Sequence, residues 1–354
     1  MIADTTHSPR LRALATAVPH HVLHQKDVEA LGRKIFAGRA EAFERMRPVY
    51  ANAGIETRYS CVNLEWYLQE HSWRERNELY IENARVLMRR AAEECLERAG
   101  LATCDIDGIA IVSTTGIATP SLDALLIEDM ALRRDISRLP LFGLGCAGGV
   151  IGLNRVADLA RARPGTKWLL IVAELCGLTF RSTDLSKSNI VATALFGDGV
   201  AAAIIESGGD SGPVIRCGGE HTWPNSLDIM GWQIRDNGFG VLFSRDIPDL
   251  VRTALADALD GFLASAALRL DEIDEFIPHP GGMKVLAAMS DALSLPAGAL
   301  RHAYSVLRDY GNMSAASVFF VLERALAERR TGRALLSTLG PGFTAGFSIL
   351  EHPS

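Results

Sequence analysis

The chain has 354 residues, of which 48% are apolar, and it carries 36 Lys+Arg against 42 Asp+Glu for a formal net charge of −6. That length supports a large core, while the scattered basic residues give no case for nucleic-acid binding and no apolar run approaches the roughly 18 residues of a membrane span. Met1 to Pro19 lacks the basic stretch and apolar core of a leader. The six cysteines, Cys61, Cys95, Cys104, Cys146, Cys176 and Cys217, have no CxxC spacing and are too sparse to staple the chain, which predicts a reduced, cytoplasmic setting.

Leu11 to Val18 reads as an opening strand, followed by a His/Pro turn at Pro19 to His24. The charged stretch from about Lys26 to Glu97 is expected to be an insertion layered over the core, with a helix from Ile81 to Arg98 that stops at Gly100. Ile109 to Val112 is apolar without alternation, as in strands covered on both faces. Cys146-Ala147-Gly148-Gly149 is a small-residue turn opening an apolar-periodic helix, then come Gly165 and the strand Leu169 to Val172. Gly197-Asp198-Gly199 leads into a strand ending at Glu206, and Cys217 to Phe243, with two Trp-containing turns and Asn237-Gly238, is expected to cross over to a second half. There Phe276 to Pro278 forms a strand ending at His279-Pro280-Gly281-Gly282. Asn312-Met313-Ser314-Ala315-Ala316 opens another helix, Leu335 to Thr338 is a strand, and Gly340-Pro341-Gly342 leads into a strand ending at Glu351.

These landmarks repeat. The same 166 residues separate Cys146 from Asn312 and Leu169 from Leu335, and 167 separate Ile106 from Ile273. A duplicated unit predicts two similar α/β halves, 1–225 and 226–354, packed about a pseudo-twofold axis that brings their front edges together. About 23 extra residues lie in Cys176 to Phe196 of the first half, an insertion beside Cys146 of the kind that carries substrate contacts.

The chemistry follows from what would meet at the centre. Cys146 at the mouth of a helix has N–H groups that favour a thiolate. His279 is held between prolines at a strand end. Asn312 offers an amide donor, although Asn also caps helices well. A Cys, a His and an Asn in one cleft are suited to acyl transfer. Cys95, Cys104 and Cys217 read as structural, and the other histidines as surface or packing residues.

Gly145-Cys146-Ala147-Gly148-Gly149, Phe180-Arg181, Ala194 to Gly199, His279 to Gly282, Tyr310 to Ser314 and Gly340 to Thr344 together resemble the type III polyketide synthases, the chalcone synthase-like enzymes of the thiolase superfamily, in bacterial form. The resemblance implies a thiolase-like, duplicated αβαβα five-layer fold. It implies an acyltransferase that loads an acyl-CoA starter on Cys146 and extends it with malonyl-CoA by iterative decarboxylative Claisen condensation. His279 and Asn312 would stabilise the enolate. The product would be a pyrone or resorcinol-type ring.

The resemblance also assigns the pocket. Phe196 matches the gating phenylalanine. Val241 falls where a second gating phenylalanine stands, so that side would be wider, which favours a fatty acyl starter. Thr114, Thr115, Thr119, Cys176, Thr179 and Ser314 match pocket lining, with Cys176 in place of a threonine, and Gly340-Pro341 belongs to the cyclisation-pocket loop. Arg58 resembles an arginine near the CoA nucleotide. Coenzyme A thioesters are the substrates, with no metal or redox cofactor required. A homodimer is implied, with Thr119 near the partner's pocket. The alternatives are a ketoacyl synthase III-like enzyme using acyl carrier protein, against which Pro280-Gly281-Gly282 follows His279, and a non-catalytic thiolase-fold scaffold or lipid carrier. A hydroxymethylglutaryl-type synthase would need an early glutamate motif that the chain lacks.

Overall fold

The computed structural model describes residues 7–328 and 331–352. Its strands are β1 Pro9–Ala17, β2 His21–His24, β3 Thr57–Ser60, β4 Gly108–Val112, β5 Ser137–Leu141, β6 Lys167–Leu175 and β7 Asp198–Ser207, then β8 Val214–Thr222, β9 Met230–Arg235, β10 Gly238–Phe243, β11 Glu275–Pro278, β12 Gly332–Gly340 and β13 Thr344–His352. Nine of them form one sheet in the order β11-β12-β13-β8-β1-β7-β6-β4-β5, while β2 pairs with β3 and β9 with β10.

The duplication is explicit in this order. In the first half β4 runs parallel to β6, and β6, β7 and β1 pair antiparallel in turn. In the second half β11 runs parallel to β12, and β12, β13 and β8 pair antiparallel in turn. Thus β1, β4, β6 and β7 correspond to β8, β11, β12 and β13. The halves join where β1 meets β8 at Arg10 and Val214. The strand β5 at the edge beside β4 has no counterpart among the described residues.

Each central strand sends alternate side chains to opposite faces, and both faces are buried. Ile109, Ile111, Leu169 and Ile171 pack with Tyr80, Leu87 and Met88 of the helix Trp73–Ala99. Their neighbours Ala110, Val112, Leu170 and Val172 pack inward, with the helices Gly148–Ala162 and Ser317–Ala327, against Ala334 and Leu336 of β12. The other face of β12 and β13 packs Leu335, Phe347 and Ile349 on the helices Ile247–Ser265 and Met283–Ala292. Helix, first half of the sheet, middle helices, second half of the sheet and outer helices therefore stack in five layers. Each large aliphatic side chain buried in them contributes about 1.5–3 kcal/mol.

The two middle helices touch because of their small residues. A Cβ on Gly149 would lie 2.3 Å from the Ala315 carbonyl oxygen, and a Cβ on Gly148 or Gly152 would lie 2.6 or 2.7 Å from Val112. This close approach sets the openings of both helices side by side.

Three expectations change. The Pro19 to His24 turn contains β2, held by Val22 opposite Tyr59. The first long helix begins at Trp73, not Ile81, because Ser72 and Glu75 form a reciprocal capping box; it does end before Gly100, which adopts φ +64°. The stretch Cys217 to Phe243 is not a bare crossover, since it opens inside β8, a central strand of the second half, and continues into the β9–β10 hairpin. Among the described residues no helix is long and apolar enough to cross a membrane.

Candidate active site

Cys146 sits in the single 3-10 turn Gly145–Ala147 that leads into its helix, and Ser314–Ala316 forms the matching turn of the second half. Gly145 takes φ +49°, and a Cβ there would meet the Pro341 ring at 2.5 Å. Gly340 is equally confined, 2.5 Å by the same measure from the Ala147 nitrogen, so this loop braces the Cys146 turn. The Cys146 carbonyl accepts from Thr338 Oγ1 at 2.6 Å.

The polar groups form one chain across the axis. Cys146 Sγ lies 3.5 Å from Ser314 Oγ. The Ser314 N–H donates to Asn312 Oδ1 at 2.8 Å, and Asn312 Nδ2 donates to the Gly281 carbonyl at 3.0 Å. Gly281 follows His279 by two residues, and the His279 N–H at the end of β11 donates to Ser337 on β12 at 2.7 Å. Asn312 also pairs its backbone around Phe196, taking a bond from Gly197 N at 3.0 Å and giving one to Leu195 O at 2.8 Å. The sequence-derived Cys, His, Asn and Phe are thereby drawn to one place.

Burial sets their charge. It pushes the Cys146 thiol up to about 12 and the His279 imidazole down to about 3. Both therefore rest uncharged, and the partner of the thiol is Ser314. His279 Nδ1 is buried with no partner among the described residues. Desolvation also raises Glu174 on β6 to about 7, although its carboxylate accepts from Thr114 Oγ1 at 2.8 Å and Thr114 N at 3.2 Å. Asp198 rises to about 6 for the same reason while holding the Gly177 and Cys61 N–H groups. A carboxyl near 7 in the same buried network can hold or release a proton at neutral pH. Sequence reading missed Glu174; its signal was a single acid inside the apolar run Lys167–Leu175.

Two cavities meet here. One, of about 310 Å³ counted to its mouth, is bounded by Cys146, Phe196, Trp232, Phe243, Ser314 and Pro341. A second, of about 630 Å³ counted to its mouth, is mostly apolar, with Leu23, Leu31, Ile35, Tyr67, Cys176 and Thr179 in its wall. Phe196 and Val241 border both. On the thiol side the Trp232 and Phe243 rings stand 6.1 and 5.7 Å from Phe196 and share the cavity wall with Val241. The larger space lies on the other side of Phe196.

Several pocket assignments move. Thr114 and Thr115 are buried behind the site, Thr114 on Glu174 and Thr115 accepting from Leu175 N at 2.9 Å. Thr119 is exposed and borders neither cavity of its own chain; its expected place is beside the partner's pocket. Arg58 does not fit a surface phosphate site. It is 3% exposed, and its guanidinium donates to Thr193 O at 2.7 Å, Ala194 O at 2.9 Å, Phe196 O at 3.1 Å and Gln25 Oε1. Burial lowers it to about 10. Among the described residues no group of three or more His, Cys, Asp or Glu could hold a metal ion.

Residues 5–209 match the model of chalcone and stilbene synthases, N-terminal domain, and residues 215–350 that of the C-terminal domain. The chain is 39% identical over 348 residues to a 1,3,6,8-tetrahydroxynaphthalene synthase of Streptomyces peucetius subsp. caesius, covering 96% of this chain and 92% of that protein. It is 35% identical over 349 residues to a putative chalcone synthase of Bacillus subtilis, covering 94% and 96%. Among solved structures, the 1,3,6,8-tetrahydroxynaphthalene synthase of Streptomyces coelicolor A3(2), a bacterial type III polyketide synthase, superposes with a TM-score of 0.92 at 30% identity over 98% of this chain and 99% of that one.

Proposed function

The chain belongs to the chalcone and stilbene synthase family, the type III polyketide synthases, and from that premise we propose how its residues perform the acyl transfer. Cys146 takes the starter acyl group from its CoA thioester, releasing free CoA. The proton leaving the thiol passes through His279 to the departing CoA sulfur, which returns His279 to its neutral form, and the N-terminal turn of the helix stabilises the thiolate meanwhile. Malonyl-CoA then loses carbon dioxide. The resulting enolate oxygen is held by N–H groups of His279 and Asn312, each worth roughly a few kcal/mol. The enolate carbon attacks the Cys146 acyl carbonyl, a carbon–carbon bond forms, and the Cys146 sulfur leaves as thiolate. Repetition lengthens the chain until it closes to a pyrone or resorcinol-type ring.

The observation that supports this reading is the continuous link from Cys146 through Ser314 and Asn312 to the His279 loop. The family match weighs against the carrier-protein and scaffold alternatives. A fatty acyl starter is supported by the mostly apolar lining of the cavity behind Phe196 and Val241, which suits a hydrocarbon tail. Arg58 does not enter this account, and Thr119 enters it only through the pocket of a partner. A homodimer belongs to the same proposal. In its favour, β5 is the end strand of the sheet and Phe142, just beyond it, is 56% exposed. The cytoplasmic setting rests on the sparse cysteines.

The test is incubation of the purified protein with malonyl-CoA and a ladder of starters from acetyl-CoA to stearoyl-CoA, with Cys146→Ala as control. Mass spectrometry should find starter-dependent pyrones or resorcinols, most abundant for long starters, and an acyl group on Cys146 that the control lacks. Product and acyl-enzyme absent from the parent protein would refute the synthase reading. Products from short starters alone would refute only the fatty acyl assignment.

A further inference from the structure

The β9–β10 hairpin pairs with neither half of the duplicated sheet, yet it supplies Met230, Trp232, Val241 and Phe243 to the wall around Cys146. A two-stranded ribbon is marginally stable alone, so whatever fixes this hairpin decides where Trp232 and Phe243 stand over Phe196. The fixing groups converge on its turn.

Arg76 reaches that turn from the helix Trp73–Ala99 and is 4% exposed. Its Nη2 donates to the Asn237 carbonyl, and its Nη1 donates to the carbonyls of Phe180 at 2.9 Å and Thr179 at 3.4 Å. Arg181, also buried, gives Nη1 to Asn237 Oδ1 at 2.8 Å and Nη2 to Asp184. The turn is moulded to this grip: Gly238 has φ +107°, and a Cβ there would lie 2.9 Å from Arg76 Nη2 and 3.3 Å from Trp73. Trp73 meets Phe239 edge-on at 5.8 Å.

Arg76 spends a buried cation on neutral carbonyls, and burial together with Arg181 lowers its pKa. Such an arrangement carries a desolvation cost. Its return is geometric. Thr179 and Phe180 line the apolar cavity, while Asn237 holds the ribbon that roofs the thiol, so one guanidinium ties both walls together.

We propose that Arg76 and Arg181, acting through Asn237, are positioning residues that set the aperture between the thiol and the apolar cavity, and with it the starter lengths accepted. The aperture lies at Phe196 and Val241, which border both cavities. The length-selecting part rests on the starter reading above; the latch itself does not. Cys146, Asn312 and Ser314 bond to one another and to the His279 loop, not to the hairpin. Loosening the turn therefore alters selection and spares malonyl-CoA decarboxylation.

The test compares Asn237→Ala and Arg76→Gln with Asn237→Asp, which keeps an acceptor for Arg181. Three quantities are read in the full-length protein: trypsin cleavage after Arg235, exposed at the turn; decarboxylation of malonyl-CoA alone; and kcat/KM across the starters that the parent accepts. The first two variants should be cut faster and keep decarboxylation within about twofold, while the ratio between longest and shortest accepted starters shifts about tenfold. Asn237→Asp should stay near the parent in all three. Unchanged cleavage in Asn237→Ala would overturn the latch, and faster cleavage with an unchanged starter ratio would overturn its role in selection. Should Arg76→Gln not fold, Asn237→Ala, an exposed turn position, decides the matter. A parent confined to short starters would count against the fatty acyl reading, while cleavage still judges the latch.

Discussion

Arg58 donates from a buried position to three main-chain carbonyls and Gln25, so its loss strands acceptors around the helix Lys187–Leu195 and Phe196. Arg58→Ala should destabilise the fold by about 2–4 kcal/mol, seen as a lower Tm, and should not raise the KM for CoA thioesters selectively. Glu174 offers a pH test. Burial raises it from 4.5 to about 7, so the fold favours the neutral acid. Its contribution to stability is complete below pH 4.5 and is lost as pH rises through 7. Glu174→Gln cannot ionise, and its Tm relative to the parent should climb between pH 4.5 and 7, then level off, a difference of roughly 3 kcal/mol. Matching Tm profiles would show that Glu174 is ionised without penalty. Cys146, His279 and Asn312 were legible as residues because each stands at a punctuated turn. Arg58 was misread because sequence shows a charge but not its burial.

At the scale of elements, helix crossing and helix capping are both local chemistry with distant effects. Gly149 faces the Ala315 carbonyl at a distance no side chain tolerates, so Gly149→Val should push the two middle helices apart. The expected cost is about 1–3 kcal/mol or more, with loss of product formation out of proportion to the Tm change because the Cys146 and Ser314 turns separate. Equal losses in both would place the effect on stability alone. The helix from Trp73 starts eight residues before its apolar periodicity is obvious, since Ser72 and Glu75 fix the start through hydrogen bonds. The β9–β10 hairpin is the element least legible beforehand. Its Trp232 and Phe243 reach Phe196, and no spacing in the chain says which wall a free ribbon will roof.

For the whole molecule, duplication is the governing fact. Four strands of each half pair in the same pattern around the Arg10 and Val214 junction, and β5 departs from it at the outer edge. That edge and Phe142 predict association through the first half. Light scattering should give twice the mass of the chain, and Phe142→Asp should shift it towards a single chain; a monomeric parent would end the dimer proposal. Apolar strands without alternation, small residues at two equivalent turns and a constant offset near 166 residues determined the layered α/β architecture, the repeat and the Cys, His and Asn candidates, because these depend on periodicity and local backbone freedom. Burial, charge state and the pocket wall were decided only by the tertiary structure. Whether Arg58 meets solvent or carbonyls and whether Glu174 holds a proton depend on neighbours far away in the chain, whose desolvation and packing no local pattern records.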